Sequence, residues 1–143
     1  MQTKRVNIYI DGAARGNPGE AGIGVIIEDE QGQNIRQLYK YIGPASNNVA
    51  EYTALIYGLQ EALILGLKDL AVYSDSELLV KQLNGEYRVK NSNLKAYYGQ
   101  FLHLKTGFSK LKINQISRAE NKKADKLANQ AIDSRIDSSL KTA

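Results

Sequence analysis

The chain has 143 residues, 43% of them hydrophobic and 24% charged, the proportions of one folded domain and not of a disordered, collagen-like or coiled-coil chain. It has no cysteine and a single histidine, His103, which excludes a disulfide framework and the common zinc constellations, so that any metal must be held by oxygen. Lys and Arg outnumber Asp and Glu by 19 to 15, a net charge of +4; no apolar run approaches the roughly 18 residues that span a bilayer, and the alternating start of the chain lacks the apolar core of a secretory leader.

Val6, Ile8 and Ile10 share one face of a period-2 pattern over residues 5–10, which predicts a strand ending at Asp11-Gly12. The stretch Gly12-Ala-Ala-Arg-Gly-Asn-Pro-Gly19 reads as turn. A second strand is predicted over 22–28, a hairpin turn over 29–32 and a third strand over 34–42, closed by Gly43-Pro44; strands joined by such short loops form an antiparallel meander. Leu55, Leu59, Ala62 and Leu63 then repeat at helical spacing, predicting a helix over 48–66, with Asn48 three residues before Glu51 as in a capping box.

A strand over 70–74 reached through that helix implies a parallel crossover. Helices are predicted over 76–83, ended by Asn84-Gly85, and over 93–106, and a fifth strand over 111–116. A last helix, capped by Asn121, carries Ala124, Leu127, Ala128, Ala131 and Ile132 on one face. The fold class expected is α/β, a five-stranded mixed sheet with helices on both faces, as one domain over 1–133 followed by a polar tail over 134–143.

On this map Asp11 and Asp75 follow the first and fourth strands, while Glu51 and Asp125 fall in the first turns of two helices. A meander followed by a crossover sets the first and fourth strands side by side, bringing Asp11 and Asp75 to one end of the sheet, where open sheets build their crevices. Converging carboxylates repel unless a cation lies between them, and oxygen ligands alone point to Mg²⁺ or Mn²⁺. Each acid also has a structural alternative: Asp75 could cap the next helix, Glu51 could complete the capping box, and Asp125 could simply be solvated. Charge supports a polyanionic partner, because residues 81–126 hold eleven Lys and Arg against three acids, a local +8 that leaves −4 for the rest.

The segments Asp11-Gly12 with Gly16-Asn17-Pro18-Gly19, Ser46-Asn47-Asn48 with Glu51, Ser74-Asp75-Ser76, and Glu120-Asn121-x-x-Ala124-Asp125-x-Leu127-Ala128 resemble type 1 ribonuclease H, in order and over residues 5–133. The resemblance implies a ribonuclease H-like fold and a cytoplasmic endonuclease, expected to act as a monomer, that hydrolyses the RNA strand of an RNA/DNA hybrid to 5′-phosphate and 3′-hydroxyl ends. It implies two Mg²⁺ or Mn²⁺ ions, with Asp11 bridging them, Glu51 and Asp75 on the leaving-group ion and Asp125 on the ion that activates water. By the same resemblance the Gly12 backbone, Asn17 and Asn48 lie along the minor groove, where 2′-hydroxyls mark RNA, and Ser46 lies near a phosphate of the DNA strand.

Three departures stand out. The loop before the last acid reads Ile116-Ser117-Arg118-Ala119-Glu120, with Arg118 where many members carry His; a guanidinium cannot act as a base but can steady a phosphate, as in a subgroup similar to archaeal members. Residues 84–106 are too few for both an extra helix and the basic protrusion of some bacterial members, and Glu77 stands where some members have an uncharged groove contact. Double-stranded RNA, which shares the wide minor groove, is the alternative substrate; a binding module without turnover and a partner-binding domain are alternatives of a different kind. His103 lacks any second ligand, the glycines at 16, 19, 22 and 24 lack a phosphate-loop Lys, and most of the nine tyrosines fit packing positions, so none of these is assigned a role.

Overall fold

The protein is described by a computed structural model over residues 4–135. Its elements are β1 (Arg5–Gly16), β2 (Gly19–Glu28), β3 (Asn34–Ala45), α1 (Asn47–Ile64), β4 (Asp69–Ser74), α2 (Glu77–Leu83), α3 (Ser92–Lys105), β5 (Lys110–Gln115), a 3-10 turn (Ala119–Asn121) and α4 (Lys122–Ser134). The strands form one sheet in the order β3-β2-β1-β4-β5. β1, β2 and β3 are antiparallel neighbours, and β1–β4 and β4–β5 are parallel, the mixed sheet that the meander and crossovers predict.

The strand alternation sorts the two faces. Ile8, Ile10, Ile23, Val25 and Ile27 join Leu55 and Leu59 of α1, Leu79 and Leu83 of α2, and Leu94 and Phe101 of α3 in the main core. The opposite face packs Ile26 and Tyr39 against Leu127 and Ala131 of α4, with Tyr9 beside them. Tyr97 and Tyr98 border the main core, as packing predicts, and His103 is exposed on α3. Among the described residues no helix is long and apolar enough to cross a membrane. α4 runs to Ser134, one residue past the expected domain end, and the rest of the expected tail, from residue 136, lies outside the described residues.

Several element ends differ from the sequence reading. β1 does not stop at Asp11: it stays paired with β2 from Asn7↔Glu28 to Gly16↔Gly19, leaving only Asn17 and Pro18 as the turn. Residues 12–16 are therefore strand, and Gly12 serves close packing, because a Cβ there would stand 2.2 Å from the Ala50 carbonyl carbon. Gly43 and Pro44 are still paired with β2 and do not close the meander. α1 is capped by Ser46, whose hydroxyl accepts from the Val49 N–H at 3.1 Å, and not by Asn48, so no capping box includes Glu51, which lies beyond the first turn. Ser76, accepting from the Leu79 N–H, caps α2 and frees Asp75 from that role. Asn121 precedes α4 but makes no cap bond; its amide turns inward to the Ile10 carbonyl at 2.9 Å.

Candidate active site

The parallel pairing of β1 with β4 ends at Tyr9↔Tyr73, and these two rings stack 5.0 Å apart at 18°. Asp11 and Asp75 lie two residues beyond that last pair, so strand alternation turns both to the same face just where the backbones part. This gap is the switch point between an antiparallel neighbour on one side of β1 and a crossover neighbour on the other. Glu51 enters it from α1 because Gly12 lets the helix backbone approach, and the Gly12 N–H donates to the Glu51 carboxylate at 2.5 Å. Asp125 comes from the other layer: α4 is seated on Gly22 and Gly24, where a Cβ would stand 2.6 Å from the Ala128 carbonyl oxygen and 2.3 Å from that of Ala124.

Carboxylate oxygens of Asp11, Glu51 and Asp75 lie within 4.8 Å of one another. They line a cleft of about 460 Å³ together with Gly12, Asn48, Arg118, Asp125 and Asn129. Asp11 and Glu51 are 5% and 8% exposed, so little solvent screens their repulsion. Burial first, then the charges of Glu51 and Asp75 and a hydrogen bond with Asp125, push the Asp11 carboxyl far above the ordinary carboxylate range. Burial also raises Glu51, against the pull of the Gly12 N–H. Asp75 is raised by burial, opposed by the Asn121 amide and the Arg118 charge. An all-oxygen acidic cluster that takes up protons when no cation neutralises it has the donor set of a hard divalent ion.

The structure thus brings Asp11, Gly12, Asn48, Glu51, Asp75, Arg118 and Asp125 to one cleft. Asn17 and Ser46 stand outside that lining: the Asn17 side-chain carbonyl accepts from the Asn47 N–H at 3.0 Å, tying the β1–β2 turn to the start of α1, and the Ser46 hydroxyl is engaged as the cap. Arg118 rides on a loop locked by a reciprocal pair, in which the Ser117 N–H donates to the Glu120 carboxylate at 3.0 Å and the Glu120 N–H to the Ser117 hydroxyl at 3.2 Å. The Ser-x-x-Glu spacing carried that signal. Two amides had no role at the site in the sequence reading: Asn121, 3.5 Å from Asp75, and Asn129, 3.2 Å from Asp125. Only the i, i+4 spacing of Asp125 and Asn129 hinted at the second.

A family model described as reverse transcriptase-like matches residues 9–131. The chain is 39% identical over 140 residues to the bifunctional protein Rv2228c of Mycobacterium tuberculosis, covering 97% of this chain and 38% of that protein. It therefore spans well under half the length of that relative. The crystal structure of RNase H1 from Halobacterium salinarum is 40% identical with a TM-score of 0.88, covering 91% of this chain and 98% of that one. LC11-RNase H1, solved in complex with an RNA/DNA hybrid, is 44% identical with a TM-score of 0.88 over the same shares of both chains.

Proposed function

The chain belongs to the ribonuclease H family, and we propose that it is an endoribonuclease hydrolysing the RNA strand of RNA/DNA hybrids. The observation that carries this reading is the convergence of Asp11, Glu51 and Asp75 within 4.8 Å in a cleft that Asp125 and Arg118 also line. A binding module without turnover has no use for charges so costly to hold together.

Asp11, Glu51, Asp75 and Asp125 would hold two Mg²⁺ or Mn²⁺ ions, which when bound stabilise the attacking and leaving oxygens of an in-line displacement. Asp11, whose carboxyl interacts with both Glu51 and Asp125, would serve both ions in this reading, with Glu51 and Asp75 holding the ion on the leaving side and Asp125 the ion on the water side. A water oxygen attacks phosphorus and gives up a proton to solvent, the bond from phosphorus to the 3′-oxygen breaks, and the products are a 5′-phosphate and a 3′-hydroxyl, whose oxygen takes up a proton from solvent in turn. Arg118, exposed on its locked loop, steadies the phosphate without exchanging a proton. The Gly12 backbone and Asn48 face the cleft and read the 2′-hydroxyls of the RNA strand; Asn17 and Ser46 support them from the turn and the helix cap.

Arg118 and the span of only 84–91 between α2 and α3, short for a protrusion, support a reading of the chain as a member of the subgroup similar to archaeal members. It acts as a monomeric cytoplasmic domain in this reading. The test is cleavage of end-labelled RNA/DNA hybrid, double-stranded RNA and double-stranded DNA of one sequence, with Mg²⁺, Mn²⁺ or chelator. Metal-dependent cutting of the hybrid's RNA strand is expected. Faster cutting of double-stranded RNA would reassign the substrate, and binding without cutting would leave a binding module.

A further inference from the structure

Each of the carboxylates outside Asp11 has a donor aimed at it. Glu51 accepts the Gly12 N–H. Asp75 faces the Asn121 amide, whose orientation follows from its bond to the Ile10 carbonyl. Asp125 faces Asn129, one turn along α4, whose side-chain nitrogen lies 3.0 Å from the Asp125 main-chain oxygen and 3.2 Å from its carboxylate.

What aims Asn129 comes from another element. Arg15, near the end of β1, reaches the Asn129 side-chain oxygen at 3.3 Å and its main-chain oxygen at 3.4 Å. Its other terminal nitrogen is paired with Asp133 at 2.6 Å. A guanidinium only donates, so the amide oxygen of Asn129 must face Arg15 and the amide nitrogen must face Asp125. Asp125 is half-buried on the first turn of α4 and shares its cleft with Asp11, Glu51 and Asp75. A carboxylate on a rotatable side chain keeps its direction only while its partners hold it, and beside its bond with Asp11 the partner on its own helix is Asn129.

We infer that Asn129, aimed by Arg15, is a positioning residue that holds the Asp125 carboxylate toward the metal site. The inference rests on the ribonuclease reading for the identity of the ions, but not for the geometry. Groups that orient a ligand in this way are worth about 10- to 100-fold in metal affinity.

The experiment is a calorimetric titration of the full chain with Mn²⁺, beside hybrid cleavage as a function of Mn²⁺. In Asn129→Ala one Mn²⁺ should bind about tenfold more weakly, the Mn²⁺ needed for half-maximal cleavage should rise in step, and the KM for hybrid should stay unchanged. Asn129→Gln, which keeps the amide, should recover most of the affinity, and Arg15→Ala should lose about threefold by freeing the amide to turn. Alanine is the better helix former, so the fold is retained; Gln130→Ala, the neighbouring change away from the carboxylate, should bind Mn²⁺ as the unaltered chain does. Unaltered Mn²⁺ affinity in Asn129→Ala, or an equal loss in Gln130→Ala, overturns the inference. Weaker Mn²⁺ binding in Asn129→Ala, with no hybrid cut even by the unaltered chain, would overturn the ribonuclease reading and leave this one standing.

Discussion

Replacing Gly24 by Ala tests whether the seat of α4 on the sheet sets the fourth carboxylate. The added Cβ would stand 2.3 Å from the Ala124 carbonyl oxygen, 2.8 Å from the Leu127 Cβ and 2.9 Å from the Ala128 nitrogen. Restoring ordinary contact requires a retreat of about 1 Å by the first turns of α4, since two of these neighbours are backbone and cannot swing aside. Overpacking of this kind costs about 1–3 kcal/mol, or roughly 3–10 °C in melting temperature at this chain length. Asp125 sits in the turn that moves, whereas Asp11, Glu51 and Asp75 rest on β1, α1 and the end of β4 and stay together.

A displacement of about 1 Å in a reacting group costs on the order of a hundredfold in rate, so activity should fall far more than folding does. The assay is single-turnover cleavage of end-labelled hybrid at saturating metal, well below the melting range, with thermal melts alongside. Gly99→Ala is the control: nothing lies within 4 Å of its added Cβ on α3, and the change should be neutral or stabilise by up to about 1 kcal/mol. A Gly24→Ala protein that melts lower yet cuts at the full rate would refute the link between the seat of α4 and the reaction. An unchanged melt would refute the packing argument itself.

Asp75→Asn should slow hybrid cleavage by at least about a thousandfold, the equivalent of several kcal/mol of lost ligand charge, while hybrid binding measured by filter retention stays within a few-fold; a normal rate would remove Asp75 from the site. Arg118→Ala should lower kcat more than it raises KM, checked by steady-state cleavage, and a raised KM with kcat unchanged would mean that Arg118 only binds substrate. Stability should depend on pH in the sense opposite to an ordinary salt-bridged acid. Asp11, Glu51 and Asp75 are all raised in the folded state, so the metal-free fold holds more protons than the unfolded chain. Its stability is then greatest below the unfolded carboxylate range near about 4 as far as these groups are concerned, and it falls as pH climbs through their raised values. Melts in chelator should therefore drop from pH 5 to pH 8, and Mg²⁺ or Mn²⁺ should restore the loss most at the higher pH; a metal-free melt that rises with pH over this window would refute the clustering.

Much of the molecule was legible from local pattern. Alternation at Val6, Ile8 and Ile10 and the repeat of Leu55, Leu59 and Ala62 specify their elements because a strand or helix buries one face whatever it packs against. The order of those elements constrains the strand order through the preference for short, right-handed connections, and strand order alone carries Asp11 and Asp75 to one end of the sheet. Misjudged ends arose where a residue type serves two purposes. Gly12 looked like a turn residue and is a strand residue thinned for contact with α1, while Asn48 looked like a cap although Ser46, two residues earlier, takes that place.

What the sequence by itself determined was the set of elements, their order and the four acids they carry, because period, turn chemistry and connection length act over a few residues at a time. What only the tertiary structure decided was how those acids are held. Gly12 and Gly24 bring α1 and α4 onto the sheet from opposite faces, Asn121 turns from the helix it precedes to Ile10 and Asp75, and Arg15 aims Asn129 across 114 positions of chain. A hydrogen bond or a close approach between distant residues leaves no periodicity behind it, so it exists only once the layers have packed.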